Sequence, residues 1–271
     1  MRILFTGHRG FLGKELISQL SEKYHIFTFD GDLLDYKNLL RFVNSNSITK
    51  VIHAAAKIDI PTGVNGADLF IENIEMIANI IKLQLPTLTF CSGKIFGYQN
   101  SIKNAKEGDM FFFPEDYYGQ SKYIIKRLIE NNENFTIIRY FNVFGYHEDN
   151  QRFIKANLVR YALNKPMIVN RNLEFDTFYV VDSLPIIESW IVGEMHSKET
   201  NLVYPNKIKL TNICELINSL DNHKVEIILK DHNFANDYSG NGDRLSTMGF
   251  DLLGLEKGLS IVYSKIKNEY I

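Results

Sequence analysis

Short apolar runs alternate with helical apolar spacing along the first half of the chain. Arg2–Thr6 reads as a short buried strand, and apolar residues at 11, 12, 16, 17 and 20 follow helical spacing from Phe11 to Leu20. His25–Phe29 is a second strand, Tyr36–Val43 a short helix, and Lys50–His53 a third strand running into Ala54-Ala55-Ala56. A long helix over Asp68–Leu83, a strand over Thr87–Cys91, a helix over Tyr117–Glu130 and a strand over Phe135–Arg139 continue the series. Residues 93–116 read as a loop containing Gly93, Gly97 and Pro114. Strand and helix in this alternation predict an α/β fold: a doubly wound parallel sheet, covered on both faces and joined by right-handed crossovers.

After residue 140 the pattern changes. A helix over about 151–164, a strand at Met167–Val169, a helix over Ser183–Gly193 and a strand at Leu202–Tyr204 are predicted. A helix over Lys209–Leu220, a strand at Val225–Leu229 and a closing helix over Leu255–Lys267 follow. No Gly/Ser/Pro linker separates the two parts, so the second reads as a packed lobe. The expected division is 1–145 for the sheet domain and 146–271 for a small mixed α/β lobe, with about 181–204 returning to the sheet domain.

Composition narrows the classes. The 271 residues are 45% hydrophobic and 23% charged, an ordinary globular balance. The net charge of −2, with scattered Lys and Arg, argues against a nucleic-acid partner. No apolar run reaches the roughly 18 residues of a membrane span, so no membrane partner is expected. The two cysteines, Cys91 and Cys214, give neither a disulfide framework nor zinc spacing. No metal is expected, and a reducing, cytoplasmic location is the simple reading.

The chemistry begins at Phe5-Thr6-Gly7-His8-Arg9-Gly10-Phe11-Leu12-Gly13, between the first strand and the first helix. In such a turn Gly7 permits the tight bend, Gly10 lets backbone approach a pyrophosphate, and Gly13 lets helix and strand pack closely. The helix N-terminus offers free N–H groups and partial positive charge to phosphates. The second strand ends near Asp30, with Asp32, Leu33 and Asp35 following; an acid there suits the ribose of NAD. Asp32 also suits contact with the adenine ring. Arg9 points the other way, since it suits the 2′-phosphate of NADP. The two cues conflict, so at this point NADPH and NAD both stay open, with Ala54, Ala55 and Ala56 beside the same site.

Tyr118 and Lys122 open the helix that begins at 117. Their i, i+4 spacing puts the phenol and the ammonium on one face. A nearby positive charge lowers a phenol's pKa, which suits proton exchange with a carbonyl or alcohol oxygen. Tyr-x-x-x-Lys alone occurs often by chance. Ser92, just past the Thr87–Cys91 strand, supplies a third group at a strand's carboxyl end, where such sheets bind ligands.

Gly7-x-x-Gly10-x-x-Gly13, His53-Ala54-Ala55, Ser92…Phe96-Gly97, Tyr118-x-x-x-Lys122 and Arg139-Tyr140-Phe141-Asn142-Val143-Phe144-Gly145 occur in order. This combination resembles the extended short-chain dehydrogenase/reductases, the NAD-dependent epimerase/dehydratase family acting on nucleotide sugars. The branches most similar are GDP-L-fucose synthase and dTDP-4-dehydrorhamnose reductase, both of which reduce a 4-keto sugar with NADPH. The resemblance implies a Rossmann fold, catalytic Ser92, Tyr118 and Lys122, and cofactor contacts from Tyr118 and Lys122. It further implies that Asn73 orders the site, that Asn142 contacts the sugar nucleotide, and that the chain forms a homodimer through the helices over 68–83 and 117–130.

The departures sharpen the reading. Lys94 stands where fucose synthases place a cysteine for epimerisation, and Gly93 and Lys94 stand where 4,6-dehydratases place acids. Dehydration is therefore not expected. The family's Arg-Asp-Phe element reads Phe175-Asp176-Thr177 here, which leaves Arg152 and Arg171 as the candidates for a phosphate-binding charge. Lys94, Asn142, Arg152 and Arg171 are thus the substrate-binding candidates. A 4-keto reductase leads; an NAD-dependent 4-epimerase uses the same three catalytic groups, and a non-catalytic dinucleotide sensor is the third reading.

Overall fold

Ile3 and Phe5 face one side of a sheet and Leu4 the other, so the first strand is apolar throughout and buried on both faces. In a computed structural model describing residues 1–58, 66–97, 99–233 and 235–270, this strand, β1 (Arg2–Thr6), lies inside the main sheet between two neighbours. The chain continues through α1 (Phe11–Ser21), β2 (His25–Thr28), α2 (Tyr36–Ser45), β3 (Lys50–His53), α3 (Gly66–Lys82) and β4 (Thr87–Ser92). Next come β5 (Ile102–Ala105), α4 (Tyr117–Ile129), β6 (Phe135–Tyr140), β7 (Val143–Phe144), α5 (Phe153–Ala162), β8 (Met167–Arg171) and β9 (Phe178–Tyr179). The rest comprises α6 (Leu184–Val192), β10 (Glu199–Leu202), α7 (Leu210–Ile217), β11 (Ile227–Asp231), β12 (Tyr238–Gly240), α8 (Asp243–Thr247) and α9 (Gly254–Tyr270).

The main sheet has six parallel strands in the order β10-β6-β4-β3-β1-β2. It is the doubly wound arrangement that the strand–helix alternation predicts. The order reverses between β1 and β3, where Thr6 pairs with His53. Ligands of such sheets bind beyond the carboxyl ends at this reversal. Buried polar groups fix the spot. The Thr6 hydroxyl and His53 Nδ1 are 2.8 Å apart, and Ala54 N donates to the Thr6 carbonyl at 3.2 Å.

Three elements differ from the sequence expectation. The stretch 93–116 is not all loop: a 3₁₀ turn spans Gly93–Phe96, and β5 pairs with β12. The strand expected at Leu202–Tyr204 lies at Glu199–Leu202 and joins the main sheet beside β6. Its Thr200 and Asn201 are fully buried polar residues, so the apolar run sees only its last part. Asn201 accepts from Arg139 Nη1 at 2.7 Å and donates to the Ala105 carbonyl at 2.8 Å, which satisfies it in the core. Third, the short parallel pairs β7–β9 and β5–β12 are two to four residues long and carry too few positions for a period to show.

The remaining lobe packs α5, α7 and α9 with the β8–β11 pair, around Leu158, Tyr161, Ile213 and Val262. No helix among the described residues is long and apolar enough to cross a membrane.

His53 is 4% exposed, and burial, reinforced by the Lys122 charge, pushes its imidazole down to about 3. An unfolded chain binds a proton there below about 6.5, while the folded one does not, so folding is progressively penalised as pH falls through that window. Denaturant unfolding at pH 7 and pH 5 should show about 2 kcal/mol lost to this group. His53→Gln should flatten the pH dependence by that amount; an unchanged slope would remove His53 from the account.

Candidate active site

The turn after β1 has steric reasons for its glycines. Gly7 has φ +79°, and a Cβ there would lie 2.6 Å from Ala55 N. A Cβ at Gly13 would lie 2.4 Å from the His8 Cα, so α1 could not seat on the turn. Gly10 caps α1 in extended conformation, and the first turn of α1 carries no acid. Its N–H groups and positive end face the cleft unopposed, which fits a pyrophosphate.

Gly7, Gly10, Phe11 and Leu12 form one wall of a cleft of about 460 Å³, with Ala54 and Ala56 beside them. Gly13 lies beneath, inside the turn. Ala55 backs Gly7. At the end of β2, Asp30 accepts from Arg9 Nη2 at 2.5 Å, and its Oδ1 lies 3.0 Å from His8 Nε2. The hydrogen bond from Arg9 holds the Asp30 carboxyl below its ordinary range. The two residues that argue for different nicotinamides are therefore partners of each other, both largely exposed. Asp32 accepts from Leu34 N at 2.9 Å, an Asx turn that shapes the segment through Leu33, whose carbonyl accepts from buried Asn79.

The opposite wall holds Ser92, Tyr118 and Lys122 together. Asp116 caps α4 by accepting from Gly119 N at 2.9 Å, which sets Tyr118 and Lys122 on the first turn and the second. Lys122 is 7% exposed and donates to the Phe90 carbonyl at 3.0 Å; its Nζ lies 5.8 Å from the Tyr118 ring centre. The Ser92 and Tyr118 side chains both line the cleft, and Ser92 acts to lower the Tyr118 phenol's pKa. Asn73, buried on α3, donates to Ser121 Oγ at 3.3 Å and pairs with the Lys57 backbone in both directions.

The electrostatics correct the sequence expectation. Burial raises the Tyr118 phenol above its ordinary pKa, Cys91 adds to this, and the Arg152 charge and Ser92 oppose it. Burial also lowers the Lys122 ammonium. Desolvation outweighs the charge that was expected to favour phenolate, because the ammonium is itself engaged by a carbonyl inside the protein. Tyr118 at neutral pH is a phenol that can give a proton.

Of the substrate candidates, Lys94, Asn142 and Arg152 line the cleft. Arg152 donates to the Asn142 side-chain oxygen, while Asn142 Nδ2 donates to Thr177 Oγ1 at 3.2 Å. Lys94 Nζ lies 3.2 Å from Asp116 Oδ1. Arg171 instead pairs with Asp231 at 2.7 Å on the β8–β11 ladder, away from the cleft-lining residues. Phe175, in place of the family arginine, is a cleft wall and stacks near Tyr238, ring centres 5.4 Å apart. Tyr238 comes from β12 and has no sequence signal. Gly93 is hemmed in: a Cβ would lie 2.6 Å from both the Phe141 ring and the Tyr238 hydroxyl, so no acid fits there. Among the described residues no group of three metal-ligating side chains exists.

Comparison with known proteins identifies the family and fold. A model of the NAD dependent epimerase/dehydratase family matches residues 3–187. The chain is 25% identical over 246 residues to GDP-6-deoxy-D-talose 4-dehydrogenase from Aggregatibacter actinomycetemcomitans, covering 84% of this chain and 82% of that protein. Among solved structures it resembles a GDP-mannoheptose C4 reductase from Campylobacter jejuni with NADP bound, at TM-score 0.83 and 14% identity over 98% of each chain. It also resembles a UDP-glucose 4-epimerase from Thermotoga maritima, at TM-score 0.82 and 17% identity over 100% of each chain.

Gly7→Ala should lose at least tenfold in NADP⁺ affinity by fluorescence quenching and about 1–3 kcal/mol of stability, from strain at a positive φ. Wild-type affinity in that variant would contradict the cradle. With its glycine cradle beside the cleft and a family match over most of its length, the chain belongs to the NAD-dependent epimerase/dehydratase family and is an NAD(P)-dependent oxidoreductase.

Proposed function

We propose that this protein is an NADPH-dependent reductase of a nucleotide-linked 4-keto-6-deoxy sugar, working in deoxysugar precursor biosynthesis. The observation that carries the reading is the convergence of Ser92, Tyr118 and Lys122 on one cleft beside the Gly7–Gly10 turn. The glycine turn and the α1 N-terminus hold the dinucleotide phosphates, with Ala54 and Ala56 beside them. When bound, the nicotinamide supplies hydride to the sugar carbonyl carbon. Ser92 hydrogen-bonds the carbonyl oxygen, and Tyr118 gives it a proton. Lys122, held by the Phe90 carbonyl, favours the phenolate that remains.

A protonated Tyr118 suits reduction, because the carbonyl oxygen needs a proton as it becomes an alcohol. The crowding at Gly93 supports a simple reduction over dehydration, since no acid side chain can enter to expel water. The Aggregatibacter relative's name places its chemistry at C4 of a GDP-linked 6-deoxy sugar, so GDP-linked sugars come first among substrates. Arg152 carries the charge toward the nucleotide phosphates that Phe175 cannot. Arg9 favours NADPH. If NAD were the true cofactor, its ribose would take Asp30 and displace Arg9.

The second reading is a 4-epimerase, which keeps its cofactor and returns hydride to the opposite face. Net consumption of NADPH by the C4 ketone of GDP-6-deoxy-D-talose supports the reductase. Interconversion of C4 epimers without net consumption supports the epimerase, and tight cofactor binding without turnover of GDP-, dTDP-, CDP- or UDP-linked sugars supports a sensor.

Tyr118→Phe should keep NADPH affinity and lose about 10³-fold in kcat; wild-type turnover would exclude Tyr118 from proton transfer. Arg152→Met should weaken GDP binding, read by calorimetry, by roughly tenfold to a hundredfold, the worth of a charge-assisted contact. Arg171→Met should stay within about twofold on the same scale. The reverse ranking would move the phosphate site to the β8–β11 edge.

A further inference from the structure

Two segments carry the reactive groups, and they come from different parts of the chain. Ser92 ends β4 and caps the 3₁₀ turn Gly93–Phe96, while Tyr118 opens α4. Gly119 lets α4 press onto that turn. A Cβ there would lie 2.8 Å from Pro114, 2.9 Å from the Asp116 carboxylate and 3.3 Å from the Lys94 carbonyl. Across this contact runs a chain of polar bonds. Lys94 N donates to Ser92 Oγ at 3.2 Å. The same residue's Nζ donates to Asp116 Oδ1 at 3.2 Å, and that oxygen accepts from Gly119 N at 2.9 Å. Lys94 Nζ also lies 5.8 Å from the Tyr118 ring centre.

We propose that the Lys94–Asp116 ion pair is a positioning strut that fixes the hydroxyl of Tyr118 against that of Ser92. The proposal rests on the reading of these two hydroxyls as the groups at the substrate oxygen. It changes the part given to Lys94. A lysine in a cleft beside a sugar site suggests a direct substrate contact. Here its ammonium is engaged by the residue that caps the helix of Tyr118, and its backbone by Ser92. One residue thus ties both reactive segments at their joint, by its backbone on one side and its ammonium on the other. The pair is about two-thirds shielded on each side, with side-chain exposures of 35% and 31%. A misplacement of about 1 Å between reacting groups costs about 10²-fold in rate, so a modest ion pair matters through geometry.

The test uses Lys94→Met, Asp116→Asn, their double variant and Lys94→Arg. Asparagine still caps the helix, so Asp116→Asn removes the ion pair and leaves α4 in place. With NADPH and the C4 ketone of GDP-6-deoxy-D-talose, each single variant should lower kcat by about tenfold to a hundredfold. KM for sugar and cofactor should stay within about twofold, the double variant should be no worse than the poorer single, and Lys94→Arg should recover most of the rate. Independently of any sugar, hydrogen exchange over residues 92–97 and 116–122 should quicken in Lys94→Met and Asp116→Asn, and stay near wild type in Lys94→Arg. The strut is overturned by unchanged exchange in Lys94→Met, by additive losses in the double variant, or by a KM for sugar that rises in Lys94→Met alone. If the wild type turns over no nucleotide sugar, the functional reading fails, and exchange alone then decides the strut.

Discussion

The hydrogen bond from Lys122 to the carbonyl of Phe90 is the joint on which the site depends. It fastens the second turn of α4 to the last residues of β4. Ser92 and Tyr118 then have nowhere to go but toward each other. The sheet does the rest. Because all six strands run parallel, their carboxyl ends share one edge, and the reversal of strand order between β1 and β3 opens a crevice there. The glycine turn enters that crevice from one side and the hydroxyl groups from the other. In the proposed reaction the two walls work together: the first would hold phosphates and the second would handle a proton.

Burial governs the chemistry of the second wall. It keeps Tyr118 protonated and makes Lys122 a weaker base's conjugate acid than a surface lysine. Both shifts favour a site that waits with a proton available. Steric crowding governs the rest. Gly93 cannot grow a side chain without striking Phe141 and Tyr238, so the position where related enzymes carry an acid is closed by aromatic rings from β12 and the β6–β7 connection. The cleft is therefore specialised as much by what it excludes as by what it presents.

The parts that a sequence reader could find are those where one residue type answers one local demand. Gly7, Gly10 and Gly13 are spaced by the geometry of a strand–turn–helix, and Tyr118 with Lys122 by the pitch of a helix. The alternation of strands and helices pointed to a doubly wound parallel sheet for the same reason. What escaped notice depended on long-range partners. Thr200 and Asn201 hide β10: both are polar and fully buried, and the Asn201 amide is met by Arg139, Ala105 and Asn241, far away in sequence. Tyr238 enters the cleft from a polar stretch near the chain's end. Arg152 and Arg171 looked equivalent in the sequence; both are ion-paired, to Glu148 and to Asp231, and only Arg152 lines the cleft. Asp116 went unremarked, because its cap on α4 and its bond to Lys94 show only when the 3₁₀ turn and α4 are brought together. The phenol's pKa was misjudged because spacing gives proximity of charge and says nothing of desolvation.

Label transfer tests the account most directly. The protein is supplied with NADPH deuterated at C4 of the nicotinamide, each diastereomer in turn, and with the C4 ketone of GDP-6-deoxy-D-talose. One diastereomer should deliver one deuterium to C4 of the sugar, with one NADPH oxidised per alcohol formed, by mass spectrometry and proton NMR. Sugar turnover without deuterium at C4, or without net oxidation of NADPH, would contradict it.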